Sequence, residues 1–449
     1  MSRADDAPFP DVTPDPDPAP SWMSGRLVIA LERLPQAAYV WDDDDPDVVW
    51  DAAGDPLVWD APFIGDGCTD VWCDMTSLEL ITGEPDGDGA YRTPYARLQL
   101  VDPGDGRYRT RTVDGRLVYW ALGRRLAVWW EDPDGERWWL FSGGIATWRD
   151  PLATRVVTIE AYGCTGPLGQ TIGQEWTAGA DGDYPSERLG AIVNLAGNVP
   201  LRRFDLGDVT LSVPAASDVA PLDELRRVAR SDGGLLYADA DDTLVYRDRR
   251  WRDGRTDQTT VPMWTDNVCD AGPGAVVLWD VETADVDLIL AGQVRLANDA
   301  DPPLIATAVG AGDVDPSIVY THPTPDLWRT QAEGDALAQH LAAERSTARL
   351  ALATAAVYLH DRRFDYWHQT LDRRLGDVVR FQHLETWTDP DRLDWYDVQL
   401  ILTTIHHTIT ADTWLVELST SPAIDYTAVE LWDVTALTWD SPSPLAVWR

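Results

Sequence analysis

Residues 124–148 read RRLAVWWEDPDGERWWLFSGGIATW, two tryptophan-rich apolar runs separated by Asp-Pro-Asp-Gly. Runs of this length and character are strands, and Asp, Pro and Gly between them are the residues a tight turn requires, so the stretch must fold back on itself as a hairpin. The same pattern extends over 68–164. TSLELITG (76–83), YARLQLVD (95–102) and TRVVTIEAYG (154–163) alternate with the strand period, while PDGDG (85–89) and DPGDG (102–106) supply turns. Short strands at this spacing, with no long helix among them, predict an antiparallel barrel of roughly a hundred residues. In a strand, neighbours point to opposite faces, so the adjacent pairs Trp129-Trp130 and Trp138-Trp139 each put one tryptophan on either side of the sheet.

Helices enter at about 165–262. SERLGAIVNLAG (186–197) opens on Ser186 as an N-cap and ends on Gly. PLDELRRVARSDGG (221–234) starts with Pro221, spaces Leu222, Leu225, Val228 and Ala229 at the helical period, and stops at Gly233-Gly234. A hairpin follows, with strands Leu235–Ala238 and Thr243–Arg247 and a turn at Asp239–Asp242. From about 263 strands resume, in AVVLWDVETADVDLILAGQVRLA (275–297), PLIATAVG (303–310), LGDVVRF (375–381), DVQLILTTIHHTI (397–409) and TWLVELSTSP (413–422). One helix, WRTQAEGDALAQHLAAERS (328–346), is expected to dock on this second β-rich unit with Ala332, Leu337, Leu341 and Ala342 near one face. MSGRLVIALERL (23–34) reads as a short strand or a helix.

Charge narrows the function. Seventy-five acids face 36 bases, all arginine, for a net charge of −39. Such a chain repels phosphate backbones and anionic membranes. No apolar run approaches the roughly 18 residues a membrane-spanning helix needs. The N-terminus MSRADDAPFPDVTPDPDPAP is acidic and proline-rich, so it reads as an extended arm and not as a signal peptide, with synthesis in a cytoplasm. Cysteines 68, 73, 164 and 269 have no zinc spacing and are expected to be reduced core residues.

VWD recurs at 40–42, 49–51 and 58–60, and ELWDVTALTWDSPSPLAVWR repeats the aromatic–acid pattern near the other end. A β-roll calcium repeat needs paired glycines, and an EF-hand loop needs its Gly and distal Glu. The first stretch has a single glycine, Gly54, and DADDTLVY (239–246) has neither Gly nor Glu, so hairpin turns describe both better. The repeats are read as extended rungs that clamp a neighbouring subunit, with Trp41, Trp50, Trp59, Trp432, Trp439 and Trp448 as candidate interface residues. No catalytic, cofactor-binding or metal residue is assigned. HExxH and GxSxG are absent, no Cys–His pair stands out for a peptidoglycan hydrolase, and the adjacent His406 and His407 point to opposite faces of one strand. Tryptophans on an outer face would also suit sugar stacking, so a carbohydrate-binding protein is the competing reading.

Three stretches resemble the minor tail proteins of siphophages, the actinobacteriophage type of tail-tip or baseplate hub. They are VWCDMTSLEL (71–80) leading to WWLFSGGIATWRDPLATRVVTIEAYG (138–163), then PLDELRRVARSDGGLLYADADDTLVYRDRR (221–250), then RRLGDVVRF (373–381) with VQLILTTIHHTITADTWLVELSTSP (398–422). Together they span about 68–424. The chain departs from the pattern at Tyr162-Gly163-Cys164, where an aspartate is common, and in having two histidines in IHHTI. The resemblance implies a mainly β chain with an α+β insert and no enzymatic activity. Two tail-hub β-barrels, 68–165 and 263–424, would flank an α+β domain at 166–262. Outside them lie a Pro/Asp-rich arm (1–36), a Trp-Asp repeat arm (37–67) and a Trp-rich C-terminal arm (425–449). It further implies a homotrimeric ring that closes the distal tail tube of the virion. Its expected partners are the distal tail protein, the tape measure protein and downstream tail-tip, fibre or receptor-binding proteins. DNA would pass through the lumen without specific binding, along a channel lined by part of the acidic charge. The alternative within the same setting is a carbohydrate-binding tail protein that recognises the host envelope.

Overall fold

The structure is a computed structural model. It describes residues 25–32, 68–83, 91–103, 108, 111–113, 116–118, 124–151, 154–170, 176–197, 201–212, 219–249, 263–265, 276–285, 290–312, 314–346, 350–360, 367–384 and 395–422. Its strands and helices in chain order are β1 (Arg26–Glu32), β2 (Cys68–Asp70), β3 (Met75–Thr82), β4 (Tyr95–Val101), β5 (Arg111–Val113), β6 (Arg116–Val118), β7 (Arg125–Glu131), β8 (Arg137–Arg149) and β9 (Val156–Tyr162). Next come α1 (Thr165–Leu168), α2 (Pro185–Leu195), β10 (Arg202–Phe204), α3 (Pro221–Asp232), β11 (Leu235–Ala238) and β12 (Leu244–Arg247). The remainder holds β13 (Met263–Thr265), β14 (Val276–Val277), β15 (Trp279–Asp285), β16 (Gln293–Ala297), β17 (Ile305–Val309), β18 (Val319–Tyr320), α4 (Gln331–Arg345), β19 (Leu350–Tyr358), α5 (Trp367–Leu371), β20 (Val378–Leu384), β21 (Trp395–Thr410) and β22 (Trp414–Pro422).

The strong hairpin signal folds as its residues dictate. Asp132 N donates to Glu136 O at 2.9 Å, Gly135 takes the positive φ of 84° that the turn needs, and Trp130 and Trp129 pair across it with Trp138 and Trp139. From there β8, β9, β4 and β3 follow one another as antiparallel neighbours. Within segment 23–34, read as strand or helix, Arg26–Glu32 form strand β1. It lies inside the sheet between β7 and β2, not in a terminal arm as expected. Both faces of β1 and β7 are buried, which is why LVIAL and LAVWW are continuous apolar runs.

Among the described residues, fourteen strands form one large sheet to which both β-rich stretches contribute. β21 makes the union. Along one edge its first half pairs with β20 and its second half with β3, while its other edge carries β22, then β19 and β15. One apolar core runs beneath both halves, from Leu27, Leu98 and Trp130 to Phe381, Trp414 and Leu418.

A second core belongs to the middle of the chain. α2 and α3 pack together beside the sheet β10-β12-β11, and their buried faces share that core with Val294, Leu296, Trp328, Leu337 and Ala342. Helix α4, within 328–346, packs on strands of the 263–424 stretch, but on β16 and β17, which lie outside the large sheet. Both it and the three-stranded sheet β17-β16-β18 belong to the central core, because their apolar faces meet α3 and Trp328 there. Helix ends follow local chemistry. α4 starts with a Thr330–Glu333 capping box, and α3 ends on Gly233 in the left-handed conformation. For α2 the N-cap is Tyr184 followed by Pro185, so Ser186 lies inside the helix and not at its cap. Cys164 is buried and free as expected, whereas Cys73 is exposed on a short 3-10 turn at Trp72–Asp74 and is not a core residue.

Candidate assembly surfaces

The joint between the halves is built from hydrogen-bonded pairing above and aromatic packing below. β3 and β21 pair from Ser77 opposite Thr410 to Thr82 opposite Ile405. In the core, Trp130 of β7 stacks on Trp367 of α5, and Trp367 meets Trp414 of β22 edge-on at 5.2 Å. Trp414 Nε1 donates to His407 Nδ1 at 3.2 Å. Burial, with the neighbouring His406 adding to it, pushes the His407 pKa down to about 3. His407 is thus buried in the core, where its Nδ1 accepts from Trp414.

His406 points the other way, as strand alternation demands, and stands in a row of polar and charged side chains across the open face. Its Nδ1 lies 3.1 Å from Glu417 Oε2 on β22, and its Nε2 lies 3.3 Å from Glu79 Oε1 on β3. Glu79 stands opposite Arg97 on β4, Arg97 opposite Glu160 on β9, and Glu160 Oε2 is 3.7 Å from Arg149 on β8. The row runs over six strands and crosses the joint, setting acids beside His406 on one side and alternating acids with arginines on the other, so it reinforces the register that the joint needs.

Arginines tie the central module to the sheet. Arg374, just before β20, places Nη1 2.9 Å from Asp239 Oδ2 in the β11–β12 turn. Asp242 of the same turn accepts from Cys164 N at 2.6 Å and lies 3.5 Å from Arg125 of β7. Asp241 accepts from Thr243 N. Each carboxylate of the DADD turn is taken up by backbone or arginine, which agrees with a turn and not with a cation loop.

The tryptophans divide between faces. Trp130 and Trp138 meet at 4.9 Å on the main core side, while Trp129 and Trp139 meet at 5.2 Å on the opposite side, beside Val28, Ala30 and Ala127. Trp129, Trp130, Trp176, Trp328, Trp367 and Trp414 are all buried, and among the described residues no tryptophan is one of the exposed large apolar side chains. Sugar stacking needs an accessible ring face, and these rings do not offer one. A cavity of about 290 Å³ lined by Ile81, Gly83, Arg92, Thr93, Tyr95 and Tyr162 lies at the edge of the open face. It is small for a ligand site and brings no set of acid–base groups together. Among the described residues, no group of three or more His, Cys, Asp or Glu is placed to hold a metal ion, and no helix is long and apolar enough to cross a membrane.

Trp41, Trp50, Trp59, Trp432, Trp439 and Trp448 lie outside the described residues. Their arm has a defined root, however. Glu32 and Cys68, which bracket 33–67, are paired neighbours on β1 and β2. Sequence reasoning did not find the Glu79–His406–Glu417 cluster or the Arg374–Asp239 clamp. Alternation in IHHTI marks His406 as outward, but its partners come from strands that only the fold brings alongside.

No family model matches the chain, and no curated protein is similar to it in sequence. Two solved structures share its architecture. A tail protein from Neisseria meningitidis MC58 superposes with a TM-score of 0.52 at 14% identity, over 77% of this chain and 92% of that one. The fold is that of phage tail proteins. The 43 kDa tail protein of prophage MuSo2 from Shewanella oneidensis gives 0.53 at 13% identity, over 89% of this chain and 99% of that one.

Proposed function

We propose that the chain is a structural subunit of a phage tail tip. It acts as a ring-forming hub, a homotrimer that closes the distal end of the tail tube in the virion. The observation that carries this reading is the union of two β-rich stretches into one sheet through β3 and β21, within a fold shared with two phage tail proteins. Two β-rich units per chain, within 68–165 and 263–424, would give a trimer six such units, the number needed to meet a sixfold tube. The ring joins the distal tail protein and the tape measure protein to tip, fibre or receptor-binding proteins. Its role is mechanical and not enzymatic. Part of the −39 charge lines the channel and keeps DNA phosphates from adhering. The Trp-Asp arm rooted at Glu32 and Cys68 and the Trp-rich C-terminal run clamp neighbouring subunits.

Immunogold labelling of intact virions tests the assignment. Gold at the distal tail end is the expected result. Gold on the head or along the tube would overturn it.

A further inference from the structure

Strand β17 inverts the usual rule that a strand turns its larger apolar residues inward. Along IATAV, Ala306 and Ala308 face the second core, while Ile305, Thr307 and Val309 face outward. The inward alanines follow from α4, which lies against β16 and β17 and brings its own Ala338 and Ala342 to the same core. That close approach does not require isoleucine and valine on the other side. Yet the outward face continues the apolar choice. Val309, Gln293 and Val319 form one row across β17, β16 and β18, Ile305 stands opposite Ala297, and Ile318 adds an exposed side chain beside Val319. Val309 is 61% exposed. At the centre of the face stands Arg295, exposed and paired with no acid among the described residues, in a chain where acids outnumber bases 75 to 36.

A second apolar surface flanks α2. Tyr184, Leu195, Leu201 and Leu206 are exposed there, and β10 is held to the helix by Arg202, whose Nη1 lies 3.3 Å from Gly190 O and 3.2 Å from Asn194 Oδ1. Its outward acid is Glu187, whose Oε2 accepts from Tyr184 N at 3.0 Å and whose other oxygen has no partner among the described residues. Among the described residues, eight of the ten exposed large apolar side chains lie on these two surfaces, so their apolar exposure is concentrated and not scattered.

We propose that the outward face of β16, β17 and β18 seats on the α2–β10 surface of a second copy of the chain, with Arg295 of one copy paired to Glu187 of the next. The proposal rests on the ring-forming reading above. A closed ring made by head-to-tail contacts needs two different, complementary surfaces on every subunit. One apolar face carries the guanidinium of Arg295, and the other carries the exposed Glu187 carboxylate, one oxygen of which caps α2 while the second faces outward, one helical turn from the Arg202 contact at Gly190. Copies bearing −39 each repel one another, so a contact between them needs apolar area with opposite charges at its centre.

Sedimentation of the full chain over a range of concentrations tests this, with Arg295→Glu, Glu187→Arg and the double reversal. Each single reversal should weaken self-association about tenfold or more, and the double should recover most of it. Val309→Asp should weaken it as well. Arg295 and Val309 are exposed, so Arg295→Glu and Val309→Asp should unfold like the parent chain. Glu187→Arg also loses the cap on Tyr184 N, so Glu187→Gln, which keeps an acceptor there and removes the charge, is measured beside it and should weaken self-association as well. Self-association at parental strength in both single reversals would overturn this surface and leave the ring reading standing. Weakening without recovery in the double would overturn the Arg295–Glu187 pairing. A parent chain that sediments as a single copy at every concentration would overturn both the surface and the ring.

Discussion

Trp130 of β7 lies nearly flat against Trp367 of α5, with ring centroids 5.5 Å apart and planes 13° from parallel. The two residues come from the two β-rich stretches, and Trp367 also meets Trp414 edge-on. Trp367→Ala removes the shared element of both contacts. It should cost about 3–5 kcal/mol in denaturant unfolding and separate the single transition into two as the halves uncouple. An unchanged single transition would show that β3–β21 pairing alone holds the joint.

Arg374 and Asp239 join the sheet to the central module. Burial pushes the Asp239 carboxyl upward, and the guanidinium pulls it back toward the ionised form. Arg374→Met should cost about 3 kcal/mol, near the low end for a broken buried pair because Arg374 is partly exposed. Adding Asp239→Asn should return much of the loss, since the stranded charge is then gone. Urea unfolding of the two variants checks this.

Two buried groups oppose each other with pH. His407 is pushed down to about 3, so the folded chain resists its protonation. Its contribution to stability is present above the unfolded value near 6.5 and is lost as pH falls toward 3. Asp242 is pushed up to about 6, chiefly by burial, so its contribution is fully present below about 3.8 and is lost as pH rises through 6. His407→Gln should therefore make the chain gain stability on acidification from pH 7 to 5. Asp242→Asn should make it lose more than the parent. Melting temperatures across that range report both signs.

Gly334 sits inside α4 where Trp328 crosses, and an added Cβ would lie 2.7 Å from the indole ring. Alanine gains about 1 kcal/mol in helix propensity. Forcing a buried indole aside costs about 1–3 kcal/mol. The overlap should win, and Gly334→Ala should lower the melting temperature.

Much of the local structure was legible because its causes are local. The Asp-Pro-Asp-Gly hairpin, the Asp239–Asp242 turn and the Gly233 stop of α3 rest on residues next to one another in the chain. Partners were not legible. Nothing in RLVIALE says that it lies between β7 and β2, and nothing in TSLELIT says that it meets IHHTIT more than three hundred residues later. Helix α4 shows the same limit. Its apolar face was readable, but the sheet it covers was not, because the apolar strands IATAV and VQLIL of the same stretch both offered it a partner. The arm tryptophans were the most visible feature of the sequence. The surfaces argued from geometry instead involve Arg295, Glu187 and Val309, which no motif marks.

Removing 37–67 should weaken assembly and leave the large sheet folded. The bracketing residues Glu32 and Cys68 are already paired, so a short turn can close β1 onto β2. Circular dichroism of the deletion should match the parent chain. Unfolding on deletion would place the arm in the core of its own subunit.

The central claim is that this chain builds a ring. Light scattering after size exclusion measures the mass in solution most directly. The account predicts three times the 49.8 kDa chain mass. A mass of one chain that does not change with concentration would contradict it.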